Sequence, residues 1–282
     1  MVERVTSGLS YPNLTIIGIN NGSKSGTTTI KMSDRVELIH VGLNKGFASG
    51  CNIGIRSALA KGAEFVFILN NDASPDSGCI EMMVKSLRDE PNLGLLCSAV
   101  VYEGSDLVES AGGRYNPLLG LTLDGAKGRK LRNVLRTRPR MDFVPGVALM
   151  ARTERLFEIG LLDTRYFMYL EDLDLSIRMR RAGYSLLCLT ESYVSHASSS
   201  TSKRYPGLKE YYMMRNRFIL CYLLKKRIQI VTVAISTPWV VLFRILRKLP
   251  NPNPDELKGL YYGIVDGMKL KYGPSSRKAY SP

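Results

Sequence analysis

Two stretches of this sequence carry side chains whose types and spacing could do chemistry. In VFILNNDASPD, Val66 to Asp76, four apolar residues end in Asn70, Asn71 and Asp72, and a second acid follows at Asp76. In YLEDLDLSIRMRRAGY, Tyr169 to Tyr184, Glu171, Asp172 and Asp174 precede Arg178, Arg180 and Arg181. A carboxylate at the end of a buried strand suits Mg2+ or Mn2+, hard ions that take oxygen ligands and keep substrate phosphates in their shell. A carboxylate ahead of a helix's first turn, facing a cleft, can take a proton from an attacking hydroxyl. Each stretch also has a plainer reading. The first has the composition of an Asx-type turn after a strand. In the second, acids at the start and bases at the end complement a helix dipole.

Other residues narrow the chemistry. GLNKGFASGCNIGI places Gly46, Gly50 and Gly54 four residues apart. Small residues at a helix start let backbone N–H groups approach an anion, or let the helix pack closely on a sheet. The order is neither GxGxxG nor the GK[ST] of a phosphate-binding loop. Five scattered cysteines show no zinc spacing and read as reduced packing residues. Of the two histidines, His196 sits in YVSHASSS, and His40, inside an apolar strand, reads as a hydrogen-bonded structural residue. No nucleophile–base motif is present.

The elements that must position these groups alternate. LTIIGI (14–19), VELIHV (36–41), EFVFIL (64–69) and LGLLCSAVVY (93–102) read as strands. FASGCNIGIRSALAKG, closed by Gly62, and SGCIEMMVKSLRDEP, stopped by Pro91, read as helices; Asp76 is expected to cap the second. This alternation predicts an α/β layer with a mostly parallel central sheet. Ligands of such sheets bind at the carboxyl ends of strands, so the turns at Asn20 and at Asn70–Asp72 share one rim. From 104 to 140, glycines and prolines break the pattern, and Lys127, Arg129, Lys130, Arg132, Arg136, Arg138 and Arg140 crowd together. That segment is a solvated loop or a flap that meets anions. Two short helices follow, RTERLFEIGLLD and the acidic stretch, then a strand at SLLCL leading to His196. LKEYYMMRNRFILCYLLKK reads as a long amphipathic helix.

The chain has 282 residues and a net charge of +14, which favours an anionic partner such as nucleotide phosphates or an acidic membrane face. No nucleic-acid-binding module is recognisable, so specific nucleic-acid binding is not expected. MVERVTSGLS has no apolar leader. From Ile228 to Phe243 no residue is charged, while Lys225, Lys226 and Arg227 precede and Arg244, Arg247 and Lys248 follow. The run is short for a span and contains Gln229 and Pro238, and bases on both sides disfavour crossing. A helix lying in the membrane interface with Trp239 near the headgroups is expected; the alternative is a helix packed on the catalytic domain.

Taken together, INNGSKSGT, LNKGFASGCNIGI, ILNND, DFVPGVALMAR, YFMYLEDLDLSIRMRRAGY, VSHASSS and YYMMRNR resemble the family 2 glycosyltransferases, in the branch that includes rhamnosyltransferases. The likeness runs from about Val5 to Lys225. It implies a GT-A catalytic domain over residues 1–225, with 226–282 as a C-terminal helical extension. It also implies inverting transfer of a sugar from a nucleotide-diphosphate-sugar to an acceptor hydroxyl. The acceptor would be a glycan or lipid-linked glycan, and the enzyme cytoplasmic and peripheral on the inner membrane face. On this resemblance Asn20 and Asn21 contact base and ribose, and Asn44 and Gly46 lie in the donor-side loop. Asp72 is the metal-binding carboxylate of the DxD-like motif for Mg2+ or Mn2+, with Asn71 beside it on the donor side. Gly146 lines the acceptor and sugar pocket, and Asp172 is the catalytic base with Glu171 next to it. His196 matches a histidine that binds the metal in some members, and Arg215–Asn216 match an Arg-Asn pair without an assigned role. Two departures stand out. Asn20 replaces the usual Asp, which weakens a bidentate grip on ribose hydroxyls, and the family's first strand and part of its first helix are expected to be missing. The rival readings are a nucleotidyltransferase of similar α/β layout and a decayed, non-catalytic membrane-associated homologue.

Overall fold

Apolar runs rich in Ile, Val and Leu become strands, and the small-residue and amphipathic runs become helices, in the predicted order. The computed structural model describes residues 11–22, 35–134, 141–197, 205–225, 227–246 and 253–281. Its elements are β1 (Ile16–Asn20), β2 (Val36–His40), α1 (Phe47–Ala60), β3 (Phe65–Leu69), β4 (Ala73–Pro75), α2 (Cys79–Asp89), β5 (Leu93–Tyr102), β6 (Val108–Ser110), β7 (Arg114–Asn116), β8 (Leu121–Leu123), β9 (Ala148–Arg152), α3 (Thr153–Ile159), α4 (Glu171–Arg181), β10 (Ser185–His196), α5 (Leu208–Leu223), α6 (Arg227–Leu246) and α7 (Pro254–Met268).

The larger sheet has the order β3-β9-β5-β10-β4, with β6 also on β5. It is mixed rather than mostly parallel. β5 and β10 run parallel, but β9 is antiparallel to both β3 and β5, and β4 is antiparallel to β10. The reason is connectivity. β9 is reached without a crossover helix, so it enters the sheet in the reverse direction. β1 and β2 form a parallel pair of their own. The helix tail expected ahead of β1 falls in residues 1–10, outside the described residues, as do Arg136, Arg138 and Arg140 of the basic segment.

β5 is buried at nine consecutive positions, because helices cover both sheet faces. Leu95, Cys97 and Ala99 cluster with Ile55 of α1 and Leu175 and Met179 of α4. Leu93, Leu96 and Val100 cluster with Met83 and Leu87 of α2. Gly54 brings α1 close to β1, where an added Cβ would lie 3.6 Å from Ile19. Asp76 does not cap α2 through its side chain. Gly78, left-handed at φ 76°, occupies the cap, and the Asp76 carbonyl accepts from the Cys79 N–H.

α6 is helical through Pro238. Val233 packs with Phe218 and Cys221 of α5, while Ile228, Val231, Ile235, Trp239, Leu242 and Leu246 are exposed along the opposite side. By length and composition alone α6 could cross a membrane. α7 folds back onto α5 through Gly259, Gly263 and Gly267. A Cβ on Gly263 would come within 2.4 Å of the Tyr211 carbonyl, which only glycine permits.

Candidate active site

Strand pairing brings the first predicted pair together. β4 lies antiparallel on β10 with His196 opposite Ala73, and the Ala197 N–H donates to the Asp72 carbonyl at 2.9 Å. This register puts His196 Nε2 3.1 Å from Asp72 Oδ1. On the other side of the ring, His196 Nδ1 lies 2.7 Å from Glu109 Oε2. Burial pulls the imidazole down, but its bonds to Asp72 and Glu109 outweigh that and push it up to about 9. Two ligands about 2.1 Å from an octahedral ion and at right angles lie about 3 Å apart. The Asp72–His196 separation fits that edge, and the Asp72 carboxylate oxygen suits Mg2+ or Mn2+. Among the described residues no group of three or more His, Cys, Asp or Glu side chains is placed to hold an ion by itself. The rest of the shell would come from substrate oxygens and water.

The second pair is Asp172 and Gly146. α4 begins at Glu171, after Leu170 at φ 69°. Asp172 Oδ2 accepts from the Gly146 N–H at 2.9 Å, and Oδ1 from the Leu173 N–H at 2.8 Å. A Cβ on Gly146 would lie 3.4 Å from the Asp172 Cβ and 3.5 Å from the Phe47 ring. Burial raises the Asp172 carboxyl above the ordinary range, and these backbone donors pull against it. Its neighbour Glu171 is 5% exposed. Burial, then the Asp172 charge, raise Glu171 well above the usual carboxylate range. Adjacent carboxylates in one buried site resist ionising together, and the Gly146 and Leu173 N–H groups favour the charge on Asp172. Asp174 takes no part. It pairs with Arg178 at 2.7 Å, and Arg178 also donates to the carbonyls of Ile159 and Leu161. Asp174 thus follows the dipole-and-packing reading, while Asp172 accepts both from its own helix and from the Gly146 N–H outside it.

The two pairs share a rim, because the Asn70 N–H donates to the Val147 carbonyl, one residue from Gly146. The donor-side loop sits beside them. Asn21 Nδ2 donates to the Gly46 carbonyl at 2.8 Å and to Asn44 Oδ1 at 3.3 Å, and Asn21 Oδ1 accepts from the Lys45 N–H at 3.0 Å. Asn21 and Asn44 therefore brace the loop that ends in Gly46. Gly46 has φ 86°, and a Cβ there would lie 2.4 Å from the Phe167 carbonyl. Asn71 is exposed at its turn, and its side chain makes no hydrogen bond among the described residues. Asn20 Nδ2 lies 3.3 Å from His40 Nδ1. His40, expected as a hydrogen-bonded structural residue, thus pairs with Asn20 and lies exposed at the end of β2. Parallel pairing makes Asn20 and His40 register partners.

Arg215 and Asn216, which carried no role in the sequence, hold the loop that leads to Asp172. Phe167, Tyr169 and Leu170 in that loop have φ of 67°, 65° and 69°, each costing about 1–3 kcal/mol unless the surroundings enforce it. Asn216 Nδ2 donates to the carbonyls of Tyr166 (3.2 Å), Met168 (2.8 Å) and Tyr169 (2.7 Å). Arg215 donates to the Tyr166 and Gly273 carbonyls and, through Nε, to Asn216 Oδ1. Both side chains are at most 1% exposed. Glu109 also escaped the sequence reading, since a single acid in DLVESAGG has no distinguishing pattern.

Comparison with known proteins bears on what this rim does. The family model described as Glycosyl transferase family 2 matches residues 1–156. An N-acetylglucosaminyl-diphospho-decaprenol L-rhamnosyltransferase of Mycobacterium tuberculosis is 25% identical over 234 residues, covering 73% of this chain and 75% of that protein. A dTDP-rhamnosyl transferase of Shigella flexneri is 24% identical over 226 residues, covering 75% and 72%. Among solved structures, the mannosyltransferase of Pyrobaculum calidifontis in complex with GDP-Man and Mn2+ superposes with a TM-score of 0.53 at 16% identity, over 94% of this chain and 80% of that one. That likeness establishes the GT-A fold. The comparisons favour glycosyl transfer over nucleotidyl transfer. With the family model covering more than half of its length, the chain belongs to glycosyl transferase family 2 and is a glycosyltransferase that uses a nucleotide-sugar donor.

Proposed function

We propose that this enzyme moves L-rhamnose from a nucleoside-diphosphate donor to a hydroxyl of a lipid-diphosphate-linked glycan, with inversion at the anomeric carbon. The observation that carries this reading is Asp172. It is an ionisable carboxylate fixed by two backbone N–H groups, on the rim that also holds Asp72 and His196. The names of the two bacterial relatives supply the sugar and the acceptor class. Ionised Asp172 accepts the proton of the acceptor hydroxyl as that oxygen bonds to the anomeric carbon, while the bond from that carbon to the diphosphate oxygen breaks. Asp72 and His196 would hold a divalent ion, which when bound supplies positive charge to the departing diphosphate. Asn20, Asn21, Asn44, Gly46 and Asn71 form the donor side, and Gly146 lies between donor and acceptor. Residues 1–225 are the catalytic unit and 226–282 the extension, with the exposed apolar side of α6 set against the cytoplasmic leaflet where such acceptors reside.

Asp172→Asn tests the assignment. It keeps one acceptor oxygen and the shape of the side chain but cannot take a proton. Transfer should slow by about 10²–10⁴-fold, with donor affinity by calorimetry within about twofold of wild type. A rate within tenfold of wild type would exclude Asp172 as the base.

A further inference from the structure

We infer that Glu109 is the positioning residue for His196, holding its ring so that Nε2 faces the space beside Asp72 where a divalent ion would bind. The inference rests on the proposed metal site and assigns a residue that the sequence gave no reason to choose.

The argument is geometric. Asp72 and Glu109 approach opposite nitrogens of one imidazole, at 3.1 Å from Nε2 and 2.7 Å from Nδ1. The two nitrogens of a five-membered ring point in diverging directions, so one ion cannot sit against both. One carboxylate is therefore on the ion's side and the other behind the ring. Asp72 is on the ion's side, because it lies in the turn between β3 and β4 next to exposed Asn71, whereas Glu109 lies within β6. Glu109 is behind. A histidine that binds metal donates its other N–H to a carboxylate or carbonyl, and that bond sets the tautomer and ring orientation.

The fold brings Glu109 there by a specific route. β6 lies on β5, and the ladder shifts register between Val100 and Val101, where it pairs with Ser110 and Val108 on either side of Glu109. Such irregularities re-aim a side chain. β10 lies on the other edge of β5, with Tyr102 opposite His196. Glu109 thus reaches across β5 near its C-terminal end, from one neighbouring strand to the other. Both partners are shielded from water, with side chains 10% and 22% exposed, which keeps the bond from exchanging with solvent.

The test is Mn2+ binding to the full-length chain, followed by electron paramagnetic resonance, with Mn2+ alone and with inorganic diphosphate. Wild type is compared with Glu109→Gln, His196→Ala, Asp72→Ala and the Glu109→Gln/His196→Ala double variant. Glu109→Gln should weaken Mn2+ binding by about 10–100-fold, and should add nothing in the His196→Ala background. If Glu109→Gln does not fold, Glu109→Asp, which keeps the charge but withdraws it by one methylene, should show a smaller loss with the same dependence on His196. Wild-type affinity in the Glu109 variant, with loss in Asp72→Ala and His196→Ala, would overturn the inference and leave the metal site standing. An equal loss with and without His196 would show that Glu109 acts by another route and would also overturn it. Undiminished binding in Asp72→Ala and His196→Ala would instead remove the metal-site reading itself.

Discussion

Replacing Asn216 with Ala should cost this enzyme far more activity than stability. The substitution removes the amide that donates to the carbonyls of Tyr166, Met168 and Tyr169 and leaves Arg215 holding only the first of them. Two N–H donors are lost, each worth a net 0.5–1.5 kcal/mol, so the expected destabilisation is about 1–3 kcal/mol. At roughly 2–4 °C per kcal/mol, the melting temperature falls by about 5 °C. The consequence for catalysis is larger, because the freed loop contains three residues at positive φ that no longer have a reason to stay there. Its relaxation shifts Leu170 and the first turn of α4, where Asp172 meets the Gly146 N–H. A displacement of about 1 Å at a reacting group costs on the order of 100-fold in rate. The assay compares initial transfer rates at a temperature well below both melting points, with Met83→Ala as the control. Met83 is fully buried on α2, in the other core layer, and its truncation costs at least as much stability, about 2–5 kcal/mol. If Asn216→Ala is no slower than Met83→Ala, the loop does not depend on the clamp and the reasoning fails.

Two further outcomes follow from the C-terminal part. Asp266 is 1% exposed; burial opposes its ionisation, but bonds from Arg277, Lys271 and Tyr211 prevail and hold its carboxyl at about 2. A carboxyl depressed from 3.8 to about 2 adds about 2 kcal/mol of stability that is present above pH 4 and lost as pH falls toward 2. Urea unfolding should therefore show Asp266→Asn less stable by about that amount at pH 7, with the gap closing below pH 4; a gap that widens on acidification would contradict it. On α6, Ile235 and Trp239 are 68% and 72% exposed, so Ile235→Asp with Trp239→Asp should leave the melting temperature nearly unchanged. Binding to anionic vesicles should weaken at least tenfold, since each side chain contributes about 1.5–3 kcal/mol when buried in the bilayer. Wild-type protein that does not sediment with such vesicles would remove the membrane assignment.

The sequence alone determined what depends on near neighbours. The four early strands and the helices at Phe47–Ala60 and Cys79–Asp89 follow from apolar runs, small residues and turn signals within a dozen positions. Asp72 and Asp172 were legible for the same reason, one ending a strand and the other starting a helix. The reverse direction of β9 was not, because antiparallel and parallel partners look alike in a short buried run. The tertiary structure alone decided what each acid is bonded to. Asp174 and Asp172 are two residues apart, yet one is tied to Arg178 and the other to the next residue's N–H and to one brought by a segment 26 positions away. Glu109 meets His196 across 87 positions, and Asn216 meets the Tyr166–Tyr169 loop across 47 to 50. Contacts of that span are made by strand register and helix packing, and no local pattern of residues encodes them.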